Sequence, residues 1–168
     1  MCGHGARDDD RELDGGDDAD PAVTLRFGTP KHGWLEIALT GPEGESHDVV
    51  SDVPGDSLRD LALAASAVLG GVDARVTWFL EPDQLVWRFR PDGDRVRISA
   101  VSGTARSVAT RRPTPIGALA ARELALLIWR ALRRLASDPA WQASDPRTAW
   151  THAFPHRDVD DLGALLGR

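Results

Sequence analysis

An antiparallel α+β fold is what the sequence predicts: a sheet of five to six strands, two main helices packed on one face, and short C-terminal helices. Three observations carry that reading. In three runs between Arg75 and Ser99 one parity is apolar throughout and five arginines fall on the other, as the period of a half-buried meander requires. Two segments, one opening near Asp56 and one running to Ala136, repeat their apolar residues at helical spacing. Gly, Pro and Asp clusters separate these elements at the intervals that short connections need.

The first strands are Ala22–Phe27 (AVTLRF) and Gly33–Thr40 (GWLEIALT), joined by a Gly-Thr-Pro-Lys-His loop. Their alternation sends Val23, Leu25, Phe27, Leu35, Ile37 and Leu39 inward and leaves Arg26 and Glu36 on the polar face. After a turn at Gly41–Glu45, Ser46–Val53 adds a short strand that ends at Pro54-Gly55. A helix then starts at a cap on Asp56 or Ser57 and runs to about Leu69, where Gly70-Gly71 stops it. Its stripe of Leu58, Leu61, Ala62, Ala65, Val68 and Leu69 is the face for docking on a sheet.

The meander comprises Ala74–Glu81, Gln84–Arg90 and Asp94–Ser99. Val76, Trp78, Leu80, Leu85, Trp87, Phe89, Val96 and Ile98 share one parity, and Arg75, Arg88, Arg90, Arg95 and Arg97 share the other. A three-residue loop at Pro91-Asp92-Gly93 would set Phe89 opposite Arg95 and mix the two faces, since an odd slip inverts every side chain. Pairing Arg90 with Arg95 through a four-residue loop keeps them apart, with Phe89 opposite Val96, Arg88 opposite Arg97 and Trp87 opposite Ile98. The turn Glu81-Pro82-Asp83-Gln84 similarly sets Leu80 against Leu85 and Trp78 against Trp87. Phe79 and Val86 fall on the arginine side, and a C-terminal segment lying over them would account for two apolar residues there.

A polar loop, Ser102–Pro115, leads to the strongest helix, from about Ile116 to Ala136. Leu126 and Trp129 widen its apolar arc, so it reaches a second surface besides the sheet. Asp138-Pro139 and Asp145-Pro146 punctuate a Trp-rich tail with a short helix near Pro146–Ala153 and a last one at Val159–Leu166.

Composition divides the chain in two. Residues 1–20 hold eight acidic residues against Arg7 and Arg11, which is the whole formal charge of −6; the body, 21–168, holds 18 of each sign. So acidic a segment, with one leucine, has too little apolar surface to order itself, so residues 1–20 are read as a disordered tail and 21–168 as a single α+β domain. The tail serves solubility or folds back as a salt-sensitive lid on the arginine face. The N-terminus lacks the apolar core of a signal peptide, the longest apolar stretch, Leu124–Trp129, is far short of the ~20 residues a bilayer needs, and the single cysteine allows no internal disulfide. A soluble, cytoplasmic protein with no membrane partner is expected. With one lysine against nineteen arginines and neither Asn nor Tyr, the composition points to a GC-rich bacterial genome, and part of the arginine excess reflects that bias.

No catalytic signature emerges, and the chain is read as non-catalytic and without a cofactor. Cys2-Gly3-His4 resembles an N-terminal Cu(II) or Ni(II) chelate, a pattern that chance often supplies. His152 and His156 are four apart but separated by Pro155, and Asp158, Asp160 and Asp161 are explained by the N-terminus of the last helix. There is no Gly-x-Ser-x-Gly elbow, and Gly70-Gly71 follows a helix instead of opening one, which argues against a phosphate loop.

The five arginines Arg75, Arg88, Arg90, Arg95 and Arg97 are the candidate partner-binding residues. A solvated outer face is the bland reading. The functional ones are a protein partner with an acidic surface or, using the same face with Phe79 and Trp34 as stacking groups, a nucleic acid or other anion. A neutral body, an acidic tail and the lack of any nucleic-acid consensus weigh against the last. An enzyme of undefined reaction stands as the remaining alternative, and oligomeric state is not legible. The order of elements, with Gly33-Trp34, Ser57–Leu61, Trp78–Pro82 (WFLEP), Trp150 and Phe154-Pro155, resembles small uncharacterised bacterial α+β proteins of the polymorphic-toxin immunity type. That resemblance spans most of 21–168 and implies a protein-binding, non-catalytic role, with no functional residues to carry over.

Overall fold

The structure, a computed structural model, describes residues 22–142 and 149–168. Seven strands lie in one antiparallel sheet in chain order: β1 (Thr24–Phe27), β2 (Trp34–Gly41), β3 (Gly44–Ser51), β4 (Ala74–Phe79), β5 (Gln84–Asp92), β6 (Arg95–Gly103) and β7 (Thr114–Ala120). Helices α1 (Ser57–Leu69) and α2 (Ala121–Ala136) pack on each other and on the inner face, and α3 (His156–Leu165) rests on both.

The α+β antiparallel class is therefore as expected, but the sheet has seven strands where five to six were predicted. The additional strand is β7, which occupies the first turn of the expected Ile116–Ala136 helix. Ile116, Leu119 and Ala120 fit helical spacing, yet Gly117 disfavours a helix interior by about 1 kcal/mol. Tertiary contacts then decide. The Ile116 carbonyl accepts Glu43 N–H at 3.0 Å, and β7 pairs with β6 from Arg95–Ala120 to Ala100–Thr114. The helix starts where Glu123 reaches back to accept Ala120 N–H at 3.3 Å, and its acidic charge suits that end.

β3 meets β4 only at Ser51–Phe79. Elsewhere it runs past the ends of the later strands: Trp87 Nε1–H donates to Ser46 Oγ at 2.9 Å, and the β2–β3 tip reaches β7 through Glu43. The β1–β3 layer thus folds over the interior of β4–β7, with corners at these two places. Between the layers and the helices lies one contiguous core. Trp78, Trp87 and Phe89 meet Leu35, Ile37, Leu39, Leu58, Leu61 and Leu124 there, all at most 2% exposed. Trp78 and Trp87 pack edge to face at 5.0 Å between centroids, a favoured aromatic geometry.

Helix α1 begins as predicted. Asp56 caps it by accepting Arg59 N–H at 3.2 Å, and buried Ser57 ties its start to β4 by donating to the Thr77 carbonyl at 2.6 Å. Gly71, at φ +74°, reverses the chain after Leu69. The second surface of α2 is α3. A Cβ at Gly163 would lie 2.8 Å from Trp129 Nε1, so only glycine permits this approach. Three arginine contacts fasten the same helix: Arg59–Asp158 at 3.3 Å, Arg133–Asp160 at 3.5 Å, and Arg122 to the Leu166 carbonyl at 2.8 Å.

The short helix expected near Pro146–Ala153 is absent from its described part, 149–153. The backbone there is engaged elsewhere. The Ala149 carbonyl accepts Gly33 N–H at 3.0 Å, Thr151 N–H donates to the buried Asp52 carboxylate, and His152 Nε2 bonds the Asp52 carbonyl at 2.8 Å. The acidic tail and the Cys2-Gly3-His4 motif lie outside the described residues. No described helix is long and apolar enough to cross a membrane.

Candidate functional site

Alternation along three paired strands places all five predicted arginines on the outer face of the sheet. Arg75 pairs with Arg88, Arg90 with Arg97, and Asp92 with Arg95. Both hairpins differ by two residues from the predicted register. Trp78 faces Leu85 instead of Trp87, and Arg90 faces Arg97 instead of Arg95. The second shift arises because β5 continues through Pro91 and Asp92 to a two-residue Gly93-Asp94 turn, with Gly93 at φ +62°. A positive φ at that position matches the twist of a tight hairpin. An even shift preserves the faces, so the arginine side and the tryptophan side stay distinct.

Like charges directly across a ladder cost roughly 0.2–1 kcal/mol, and each guanidinium of β5 and β6 has an acceptor that offsets this. Arg97 Nε lies 2.6 Å from Asp92 Oδ2, and Arg90 Nε lies 3.4 Å from Asp73 Oδ2. Arg88 donates to the Val108 carbonyl at 2.7 Å, and Arg95 donates to the Ala118 carbonyl. Arg75 has no ion-pair partner among the described residues.

Arg88, Arg90, Arg95 and Arg97 converge on a groove of about 1010 Å³ along β5–β7, and Arg75 lies beyond it. Sequence reasoning missed the remaining walls. Arg112 and Pro113 come from the loop before β7, and Pro42 and Glu43 come from the β2–β3 tip. Neither has a periodic signature; the Glu43–Ile116 backbone bond brings them together. Asp92, Asp94 and Glu43 set three carboxylates against the five arginines, and no aromatic ring lines the groove among the described residues. The remaining N–H groups of these guanidinium side chains can donate charge-assisted hydrogen bonds to an oxyanion.

Among the described residues, the two apolar residues on this side have local covers and not the expected C-terminal one. Val86 forms a small cluster with Val101 and with Val108, from the turn Ser107–Ala109. Phe79 packs near Gly55, where a Cβ would come within 3.1 Å of its ring. The described C-terminal residues pack on the helical side instead, with Trp150, Val159 and Leu162 in the main core. Trp34, 39% exposed, sits on β2 opposite Ser51, away from the arginine groove.

A second cleft, of about 360 Å³, separates β3 from the β5–β6 ends and contains Ser46, His47, Asp48, Ser102, Arg111 and Arg112. Burial raises the Asp48 carboxyl above its ordinary value, partly countered by His47. Ser46 and His47 are adjacent on a strand and point to opposite faces. Ser46 accepts from Trp87 while His47 Nε2 meets Glu36 at 2.7 Å, so the two do not form a nucleophile–base pair. His152 and His156 are likewise divided: His152 bonds Asp52, and the His156 ring lies tilted against Phe154 at 4.8 Å. No group of three potential metal ligands occurs among the described residues. Comparison with protein-family models, curated proteins and solved structures finds no match to this chain.

Proposed function

We propose that this chain is a non-catalytic, cytoplasmic protein-binding module that captures an acidic segment of its partner in the arginine groove, in the manner of an immunity-type protein. The observation that carries this reading is the convergence of Arg88, Arg90, Arg95, Arg97 and Arg112 on one concave surface. Guanidinium groups bind carboxylates through paired, charge-assisted hydrogen bonds. Here a paired sheet holds four of them at fixed spacing, so less order is lost on binding. Glu43, Asp92 and Asp94 at the same groove would repel a uniformly anionic partner and favour one with a matching cation, which gives specificity as well as attraction.

The test compares the wild type with Arg90→Glu/Arg97→Glu, both exposed, in capture of the product of the gene adjacent to its own. At least tenfold weaker capture by the double variant is expected. Equal capture by the two proteins removes the reading. Retention of a single-stranded oligonucleotide in place of that protein, with a steep salt dependence abolished in the variant, would assign the groove to nucleic acid.

A further inference from the structure

The described chain begins beside β7, a strand that borders the arginine groove. Val23 packs against β7: a Cβ at Gly117 would come within 3.3 Å of Val23 Cγ2 and 3.0 Å of Pro42. Gly117 and Pro42 both line the groove. Whatever precedes Ala22 therefore starts on the core side of β7, one strand's width from the arginine face. That preceding sequence has eight carboxylates against two arginines in residues 1–20, and the groove offers five guanidinium groups against three carboxylates.

We infer that the acidic run Asp8–Asp20 of this chain is itself a ligand of the arginine groove, a built-in competitor that an external acidic partner must displace. Reach is no obstacle. A peptide of about twenty residues averages about 25 Å end to end as a random chain and can extend to about 70 Å. Tethering so close to the site places the carboxylates there at roughly millimolar effective concentration, enough for individually weak contacts to be occupied. Charge complementarity also selects this occupant over a second copy of the body, which carries equal numbers of acidic and basic residues. Occupancy should then fall as salt screens the pairing. The inference rests on the groove of the preceding section but not on the identity of any partner.

The single cysteine, Cys2, lies at the far end of the same segment and takes a nitroxide label without engineering. In the full chain, paramagnetic broadening of the Arg97, Ala118 and Arg112 amide signals should be strong at about 0.01 M salt, where screening extends about 30 Å. It should fall severalfold near 1 M, where screening is about 3 Å. Arg90→Glu/Arg97→Glu should remove the salt-sensitive part. Broadening that is unchanged by salt, that survives the charge reversal, or that centres on the helices overturns the inference. A second measurement separates it from partner binding. A deca-glutamate peptide should bind about tenfold more tightly when Asp8, Asp9, Asp10, Asp14, Asp17 and Asp18 are changed to Asn. Equal affinity for both proteins, with binding still lost in the arginine variant, rejects the competitor and keeps the groove.

Discussion

The inner and outer faces of β4–β6 are built from alternate residues of the same strands, yet the fold depends on them very differently. Inward, Val76, Trp78, Leu85, Trp87, Phe89, Val96 and Ile98 are all at most 3% exposed and share one core with three helices. Outward, the Arg90 and Arg97 side chains remain 72% and 73% exposed, held by ion pairs that solvent weakens. A side chain with so little influence on stability can be set by what it binds. That separation is the physical basis for proposing recognition at the outer face.

The largest difference should appear at Trp87. Trp87→Ala removes a fully buried ring and strands Ser46, and should cost about 3–5 kcal/mol in urea unfolding; a loss under about 1 kcal/mol would mean the inner face is not the core. Val108→Asp should cost about 1–3 kcal/mol, because it puts a charge into the small outer cluster with Val86 and Val101. A neutral result there would leave those valines as ordinary surface. Arg90→Glu/Arg97→Glu loses two exposed ion pairs and should cost only about 1 kcal/mol, so that a tenfold loss of capture below the melting transition of both proteins reports binding and not unfolding.

The smallest effect belongs to Asp48, half-buried in the cleft beside β3. Its folded-state carboxyl titrates above the ordinary 3.8 because burial disfavours the charge. The folded protein therefore holds that proton more tightly than the unfolded chain does. Stability is lost as pH rises from 3.8 through the raised value, and the deficit persists at neutral pH. Asp48→Asn should melt slightly higher than the wild type at pH 7, with the gap closing below pH 3.8. A gap that widened on acidification would mean the carboxylate is favoured in the fold after all.

Much of this fold was legible in the apolar parity of Val76–Ile98 and in the capped stripe of α1, because local periodicity decides which face a residue takes. Register was not so legible. Two hairpins each moved by two residues, since an even shift leaves burial unchanged and only turn geometry at Gly93 discriminates. β7 was hidden because Ile116, Leu119 and Ala120 satisfy a helical pattern, and the evidence against it lies in contacts with Glu43 and β6. The predicted arginines were placed on the correct face. Arg112, Pro42 and Glu43 carried no sequence signal, because loop residues join a site only through the tertiary path that brings them there.

The lone Ser51–Phe79 rung between β3 and β4 has a bearing on how this molecule breathes. Beside it, Asp52 clasps the C-terminal segment at Thr151 and His152. Prising the two layers apart at that hinge would loosen the first hairpin and the tail of the chain in the same motion, while the paired ladder from β4 to β7 stays whole. The arginines belong to the half that keeps its full ladder.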